Sequence, residues 1–175
     1  MRLFAAISLP PAGAEALVRA QAALRRAGAK GSFTRPGNFH LTLAFLGETE
    51  ALAAARAAVA EACALPCGPL TLQLEGCGRF GDVWWAGAAP DPELTALALE
   101  VQGALRRRGF ALEDRPFVPH VTLARRVRVR PAPELSLSAP PLRVERVSLL
   151  SSQRTEAGRP FYREVGAWPL RDRQL

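Results

Sequence analysis

Two ten-residue phrases carry the chemistry this chain can do. Arg35–Ala44 reads RPGNFHLTLA, and Arg115–Ala124, eighty positions later, reads RPFVPHVTLA. Arg, Pro, His, Thr, Leu and Ala recur at the same offsets, and the only two histidines of the chain, His40 and His120, lie one in each copy. In an extended strand, side chains alternate between faces. His40, Thr42 and Ala44 then share one face while Leu41, Leu43 and Phe45 take the other. In the second copy His120, Thr122 and Ala124 lie opposite Val121 and Leu123. The aliphatic face can be buried; the His/Thr face needs a polar setting, with alanines leaving room beside it. A threonine hydroxyl can donate to a phosphoryl oxygen, and an imidazole gives or takes a proton near neutral pH. Two such pairs facing each other suit acid–base attack at one phosphorus centre, each proton transfer being worth roughly 10²- to 10⁴-fold. A lone strand histidine more often has a structural role; the duplication with identical partners favours chemistry.

The elements that must position these phrases follow from pattern. Residues 2–9 read as a strand ended by Pro10-Pro11, and residues 12–28 as a helix closed by Gly28. A second helix covers about 50–64. Leu70–Leu74 and Val83–Ala86 read as a hairpin, with GCGRFGD as its glycine-rich connection. Asp91 and Pro92 open a third helix as N-cap and first-turn proline, with Leu94, Leu97, Val101 and Leu105 on its apolar face. RPAPELSLSAPP is a proline-rich loop, and LRVERVSLLSS and FYREVGAWPL close the chain as strands. This order implies an α+β fold: mainly antiparallel sheets in two similar lobes facing a central groove, helices outside, in one bilobal domain over 1–175.

With 175 residues, 49% hydrophobic and 22% charged, the chain is long enough to bury a sizeable core. Its net charge of +7 is nearly all arginine, Lys30 being the only lysine. That charge favours anionic partners such as RNA and also serves solubility. Cys63, Cys67 and Cys77 make no disulfide framework; Cys63 continues the apolar stripe of Leu52 and Val59 and reads as a buried thiol. No signal peptide or membrane span is apparent, so a cytoplasmic protein is expected. No metal-ligand spacing is present, and neither metal nor cofactor is expected. GCGRFG lacks the Gly-Lys-Ser/Thr ending of a phosphate loop. Arg106–Arg108 can contact phosphates but also sits where cations offset a helix dipole.

His40-Leu41-Thr42-Leu43 and His120-Val121-Thr122-Leu123, with RLFAAISLP, NFHLTLAFLGE, FVPHVTLAR and VERVSLLSSQRTEAGRPFY around them, resemble the 2H phosphoesterases. The resemblance is to their RNA 2′,3′-cyclic phosphodiesterase branch, also called 2′-5′ RNA ligase, and covers nearly the whole chain. It implies one His-x-Thr strand from each lobe lining the groove, and hydrolysis of a terminal 2′,3′-cyclic phosphate on RNA, tRNA halves among the candidate ends, to a 2′-phosphate without a metal. It implies His120 as proton acceptor, His40 as proton donor, and Thr42 and Thr122 on the non-bridging oxygens. No exposed apolar stripe is obvious in the sequence, so a monomer is expected. The residues alone do not order the two histidines. Arg125 stands where the first copy has Phe45; strict alternation turns it away from the His face, so it contacts substrate only if the strand twists or ends there, and otherwise forms a surface or inter-lobe ion pair. Phe39 and Tyr162 are candidates for stacking on a base or sugar, with packing as the alternative. Two other functions fit the same residues: a non-catalytic phosphate reader for RNA or nucleotides, and a related phosphodiesterase acting on a small cyclic nucleotide.

Overall fold

The computed structural model describes residues 1–172. Strand β1 (Arg2–Ser8) leads into helix α1 (Pro11–Arg26), then β2 (Lys30–Phe33), a single 3-10 turn (Pro36–Asn38) and β3 (His40–Glu48). Helix α2 (Leu52–Cys63) follows, then β4 (Leu70–Leu72), β5 (Leu74–Phe80), β6 (Val83–Ala88), helix α3 (Pro92–Arg107) and β7 (His120–Arg128). After the proline-rich loop come β8 (Leu142–Val144), β9 (Arg146–Arg154) and β10 (Pro160–Pro169).

The main sheet has the order β10-β9-β1-β3-β7-β6-β5, with β2 also paired to β7, and every pairing is antiparallel. Strands β4 and β8 form a separate two-stranded ribbon. Strands β3 and β7 meet at one bridge, Leu41 opposite Val121. That bridge marks the two lobes. On one side β3 is followed by β1, β9 and β10; on the other β7 is followed by β6 and β5. Each bridge residue directly follows its histidine, so the two copies are related by an approximate twofold axis through the bridge. Continuing that register places His40 across from Thr122 and Thr42 across from His120 as the strands diverge.

Helix boundaries follow the sequence signals. Asp91 accepts from the backbone N–H groups of Glu93 and Leu94 at 2.7 and 3.2 Å. Helices α1 and α3 end in the same way. Gly28 and Gly109 take φ of +91° and +86°. Each donates back into the last turn, and the residue after it bonds the carbonyl of Leu24 or Leu105. These are paired Schellman caps. Below the sheet, Leu41, Leu43, Val121 and Leu123 pack with Leu17, Val59, Leu97 and Val101 in one continuous core.

Three expectations are revised. Gly76–Phe80 belongs to β5, so GCGRFGD is strand as far as Phe80, with its turn at Gly81 and Asp82. A side chain on Gly78 would collide with the Trp85 ring, which lies across it from β6; the glycine makes the indole's bed. LRVERVSLLSS divides into β8 and β9. Lys30–Phe33 forms a short strand that hydrophobic patterning does not reveal. Of the Arg106–Arg108 run, Arg107 and Arg108 pair with Glu61 of α2 and Arg106 reaches the Glu113 carbonyl, so they join elements of the fold. Cys63 is buried, and burial pushes its thiol up to about 12.

Candidate active site

His40 and His120 are held alike. Each ring places Nδ1 against the carbonyl oxygen two residues earlier: Asn38 at 2.8 Å and Val118 at 2.7 Å. A carbonyl has no proton to give, so Nδ1–H is the donor in both cases. This fixes the tautomer and leaves Nε2 of each neutral ring with a free lone pair. The Asn38 side chain is itself tied to the Pro160 carbonyl at 3.0 Å, which anchors the first histidine's support to β10.

Aromatic rings flank both imidazoles. His40 has Phe4 at 4.7 Å and the edge-on Tyr162 at 5.0 Å; His120 has Phe80 at 5.4 Å and Trp85 at 6.1 Å. In each lobe these partners come from the neighbouring strands of that lobe's sheet. Thr42 and Thr122 follow their histidines on the same half-buried face. Ser8 lies beside His40 on β1, and Gly87 beside His120 on β6, so only small residues adjoin the imidazoles in register.

Burial is the main cause that holds the His40 pKa below its ordinary value, against the opposing pull of its bond to Asn38. The positive charges of Arg125 and His120 lower it further. Both groups of the second lobe are therefore within electrostatic reach of the first lobe's histidine.

Arg125 reaches this face because β7 does not alternate strictly. Trp84 pairs with Ala124 and Trp85 with Thr122, so Leu123 is an extra residue in β7. In β3, Ala5 pairs with Ala44 and Ala6 with Thr42, and Leu43 is extra. This is the same β-bulge, three residues after each histidine. A bulge resets the alternation: Leu43 and Ala44 both go to the core, as do Leu123 and Ala124. Phe45 and Arg125 then turn to the histidine face. Phe45 is exposed and its ring lies 5.9 Å from Phe4. The expected placement of Ala44 and Ala124 beside the histidines, and of Phe45 and Arg125 away from them, is thereby corrected.

Phe39 is also corrected. It is 4% exposed and belongs to the main core, because it has the strand parity of Leu41. It has no free face for a base. Tyr162 does stand at the site, packed on Phe4 and edge-on to His40. Phe4, Phe80 and Trp85 carry no mark in the sequence; their strand register brings them in, and only the pairing of strands reveals it. One consequence is testable. Gly78→Ala is expected to displace the Trp85 indole from His120, changing near-ultraviolet circular dichroism and lowering activity with little change in helix content.

Residues 10–156 match the model of the 2'-5' RNA ligase superfamily. Among curated relatives, the RNA 2',3'-cyclic phosphodiesterase of Geobacillus stearothermophilus is 32% identical over 76% of this chain and 46% of its own length. That of Thermus thermophilus is 34% identical over 98% of this chain and 91% of its own. The chain thus spans about half of the Geobacillus relative and most of the Thermus one. Among solved structures, a Thermus thermophilus protein superposes with a TM-score of 0.81 at 32% identity, covering 99% of this chain and all of that one. Escherichia coli LigT complexed with 3'-AMP gives 0.81 at 29% identity, covering 97% of both. Shared fold, near-complete coverage and a family match across both His-x-Thr strands agree: this chain belongs to the 2'-5' RNA ligase superfamily.

Proposed function

We propose that the protein is an RNA 2′,3′-cyclic phosphodiesterase that opens a terminal cyclic phosphate to a 2′-phosphate by two-histidine acid–base catalysis. The observation that carries this reading is the matched pair of Nδ1-anchored imidazoles on either side of the Leu41–Val121 bridge, each with its threonine. The names of the curated relatives and the 3'-AMP complex of LigT support the substrate class.

In this reaction the Nε2 lone pair of His120 takes a proton from water as its oxygen attacks phosphorus. The P–O3′ bond breaks, and the departing 3′-oxygen takes the Nε2 proton of His40. Thr42 and Thr122 donate to the non-bridging oxygens, and Arg125 offsets their charge. With a 5′-hydroxyl in place of water as the nucleophile, the same step, again breaking P–O3′, would form a 2′-5′ phosphodiester.

Depression of the His40 pKa by burial and by the charges of Arg125 and His120 argues against a proton on the acid, while family resemblance assigns His40 that role. A bound phosphodiester reconciles the two. Its negative charge offsets Arg125 and draws a proton onto the buried ring. His40 then carries the proton that the leaving oxygen needs once substrate is present.

Surface charge favours RNA over a small nucleotide. Beyond Arg125, Arg126 and Arg128 continue along β7, and Lys30 of β2 lies directly across from Arg128. Like charges so placed are unfavourable for folding, and among the described residues none of these four cations forms an ion pair. They suit a phosphate backbone leading away from the reacting end. Phe45 and Phe80, both exposed and next to the aromatic walls, are better placed than Phe39 to meet a terminal base.

Turnover of a short RNA with a 2′,3′-cyclic phosphate end, compared with a cyclic mononucleotide over rising salt, tests this function. RNA binding is expected to weaken steeply with salt, by about 0.7 in log–log slope per phosphate contacted, while the mononucleotide responds weakly. Equal, shallow responses would favour the small-nucleotide enzyme. Tight RNA binding without any turnover would favour the phosphate reader.

A further inference from the structure

The two β-bulges have matching supports on the helices. Gln21 Nε2 donates to the carbonyl of the bulge residue Leu123 at 2.9 Å, and Gln102 Nε2 donates to that of Leu43 at the same distance. Each glutamine belongs to the helix of the opposite half of the repeat. Each is the eleventh residue of its helix, counting from Pro11 and Pro92. Around them, QAALRRAG (Gln21–Gly28) and QGALRRRG (Gln102–Gly109) repeat almost letter for letter. The duplication thus extends from the strands into the helix turns that end in the two Schellman caps.

A bulge takes one residue out of ladder register, and its carbonyl oxygen still has two lone pairs to fill with donors. Leu43 and Leu123 are both buried, so water is a poor substitute. Gln21 is itself 2% exposed, and its amide spans two acceptors, the second being the Thr34 carbonyl at 2.7 Å. The Thr34 N–H in turn donates to the Leu123 carbonyl at 2.9 Å, so β2, α1 and the β7 bulge are locked together. A side chain as polar as glutamine gains a place in this interior only by satisfying such groups.

We infer that Gln21 and Gln102 are positioning residues that hold the two bulges in register, Gln21 turning Arg125 onto the reactive face and Gln102 setting the β3 strand that carries His40 and Phe45. This rests on the phosphodiesterase reading for its kinetic arm only. The link from Gln21 through the bulge to Arg125 and His40 can be read with no substrate present.

The test uses Gln21→Met and Gln102→Met, which keep length and lose the donor. With two histidines in the chain, both imidazoles can be titrated separately by NMR. The charged and titratable groups that act on or touch the His40 ring are Arg125, His120 and Tyr162. In Gln21→Met the His40 titration is expected to move up, in the direction produced by Arg125→Ala, because Arg125 no longer faces it. In the Gln21→Met/Arg125→Ala double variant it should move no further than in Arg125→Ala alone.

With the cyclic-phosphate RNA, Gln21→Met should raise KM about 10-fold and Gln102→Met should lower kcat about 10-fold at little change in KM, loss of register of the order of an ångström being enough for such effects. Gln102 is only half-buried, so its variant keeps the proposal falsifiable if Gln21→Met does not fold. A folded Gln21→Met with an unchanged His40 titration would overturn the inference for the β7 bulge. A folded Gln102→Met with wild-type kcat would overturn it for the β3 bulge. An upward His40 shift with no RNA turnover in any form of the protein would uphold the positioning role and reject the phosphodiesterase reading instead.

Discussion

His40→Ala and His120→Ala are each expected to lower turnover of a cyclic-phosphate RNA by roughly 10²- to 10⁴-fold, the range for one general acid or base. Affinity for the RNA should change little, because Thr42, Thr122 and Arg125 remain. The two losses need not add, since acid and base act in one step. They should also differ in kind. A substrate whose 3′-oxygen is replaced by sulfur has a leaving group that needs no proton. Loss of the acid should then be largely forgiven and loss of the base should not. Rescue of His40→Ala alone would support His40 as donor; rescue of His120→Ala alone would reverse the assignment. The same activity is expected to survive EDTA.

Arg125→Ala is expected to reduce kcat/KM by roughly 10- to 150-fold, corresponding to about 1.5–3 kcal/mol for a hydrogen bond to a charged group. It should also move one limb of the pH profile. Burial, then the charges of Arg125 and His120, hold the His40 pKa below 6.5. Removing Arg125 removes a repulsion from the protonated ring, so the pKa rises, while burial still keeps it depressed. If His40 is the acid, the alkaline limb of kcat/KM moves to higher pH; if it is the base, the acidic limb does.

The same shift has a stability counterpart. Below 6.5 the unfolded chain protonates His40 before the folded one does, so this histidine's contribution is complete above that pH and is lost as pH falls through the folded pKa. Arg125→Ala should narrow that window. Unfolding measured in urea at several pH values would show whether it does.

Much of this site is legible in the sequence because it is written twice. His40, Thr42, His120 and Thr122 share a face by simple period-two alternation, and the helix ends follow from Asp91, Gly28 and Gly109 for local steric reasons. What alternation misses is where alternation stops. Leu43-Ala44 and Leu123-Ala124 put two successive residues into the core, and the phase change that follows exposes Phe45 and Arg125. The break is visible in principle, as an apolar pair in each copy at the same offset. Phe39 has the parity of Leu41, which already puts it in the core and removes it as a stacking platform. Of the aromatic walls only Tyr162 is marked in the sequence. Phe4, Phe80 and Trp85 come from three strands, and only their pairing brings them to the histidines. Gly78 reads as loop because glycine is uncommon in strands; here the Trp85 ring occupies the space its side chain would need.

The repeat of the helix glutamines is hidden for a different reason. Gln21 lies nineteen residues before His40, and Gln102 eighteen before His120. Nothing in helical periodicity marks a buried polar residue as the partner of a carbonyl on a strand in the other lobe.

The most direct measurement is the identity of the product end. The purified protein is incubated in EDTA with a short RNA ending in a 2′,3′-cyclic phosphate, beside its two histidine-to-alanine variants. A 2′-phosphate with a free 3′-hydroxyl is expected from the wild type and almost none from either variant if the two histidines carry the reaction. A 3′-phosphate product, or a 2′-phosphate formed equally well without His40 or His120, would contradict this.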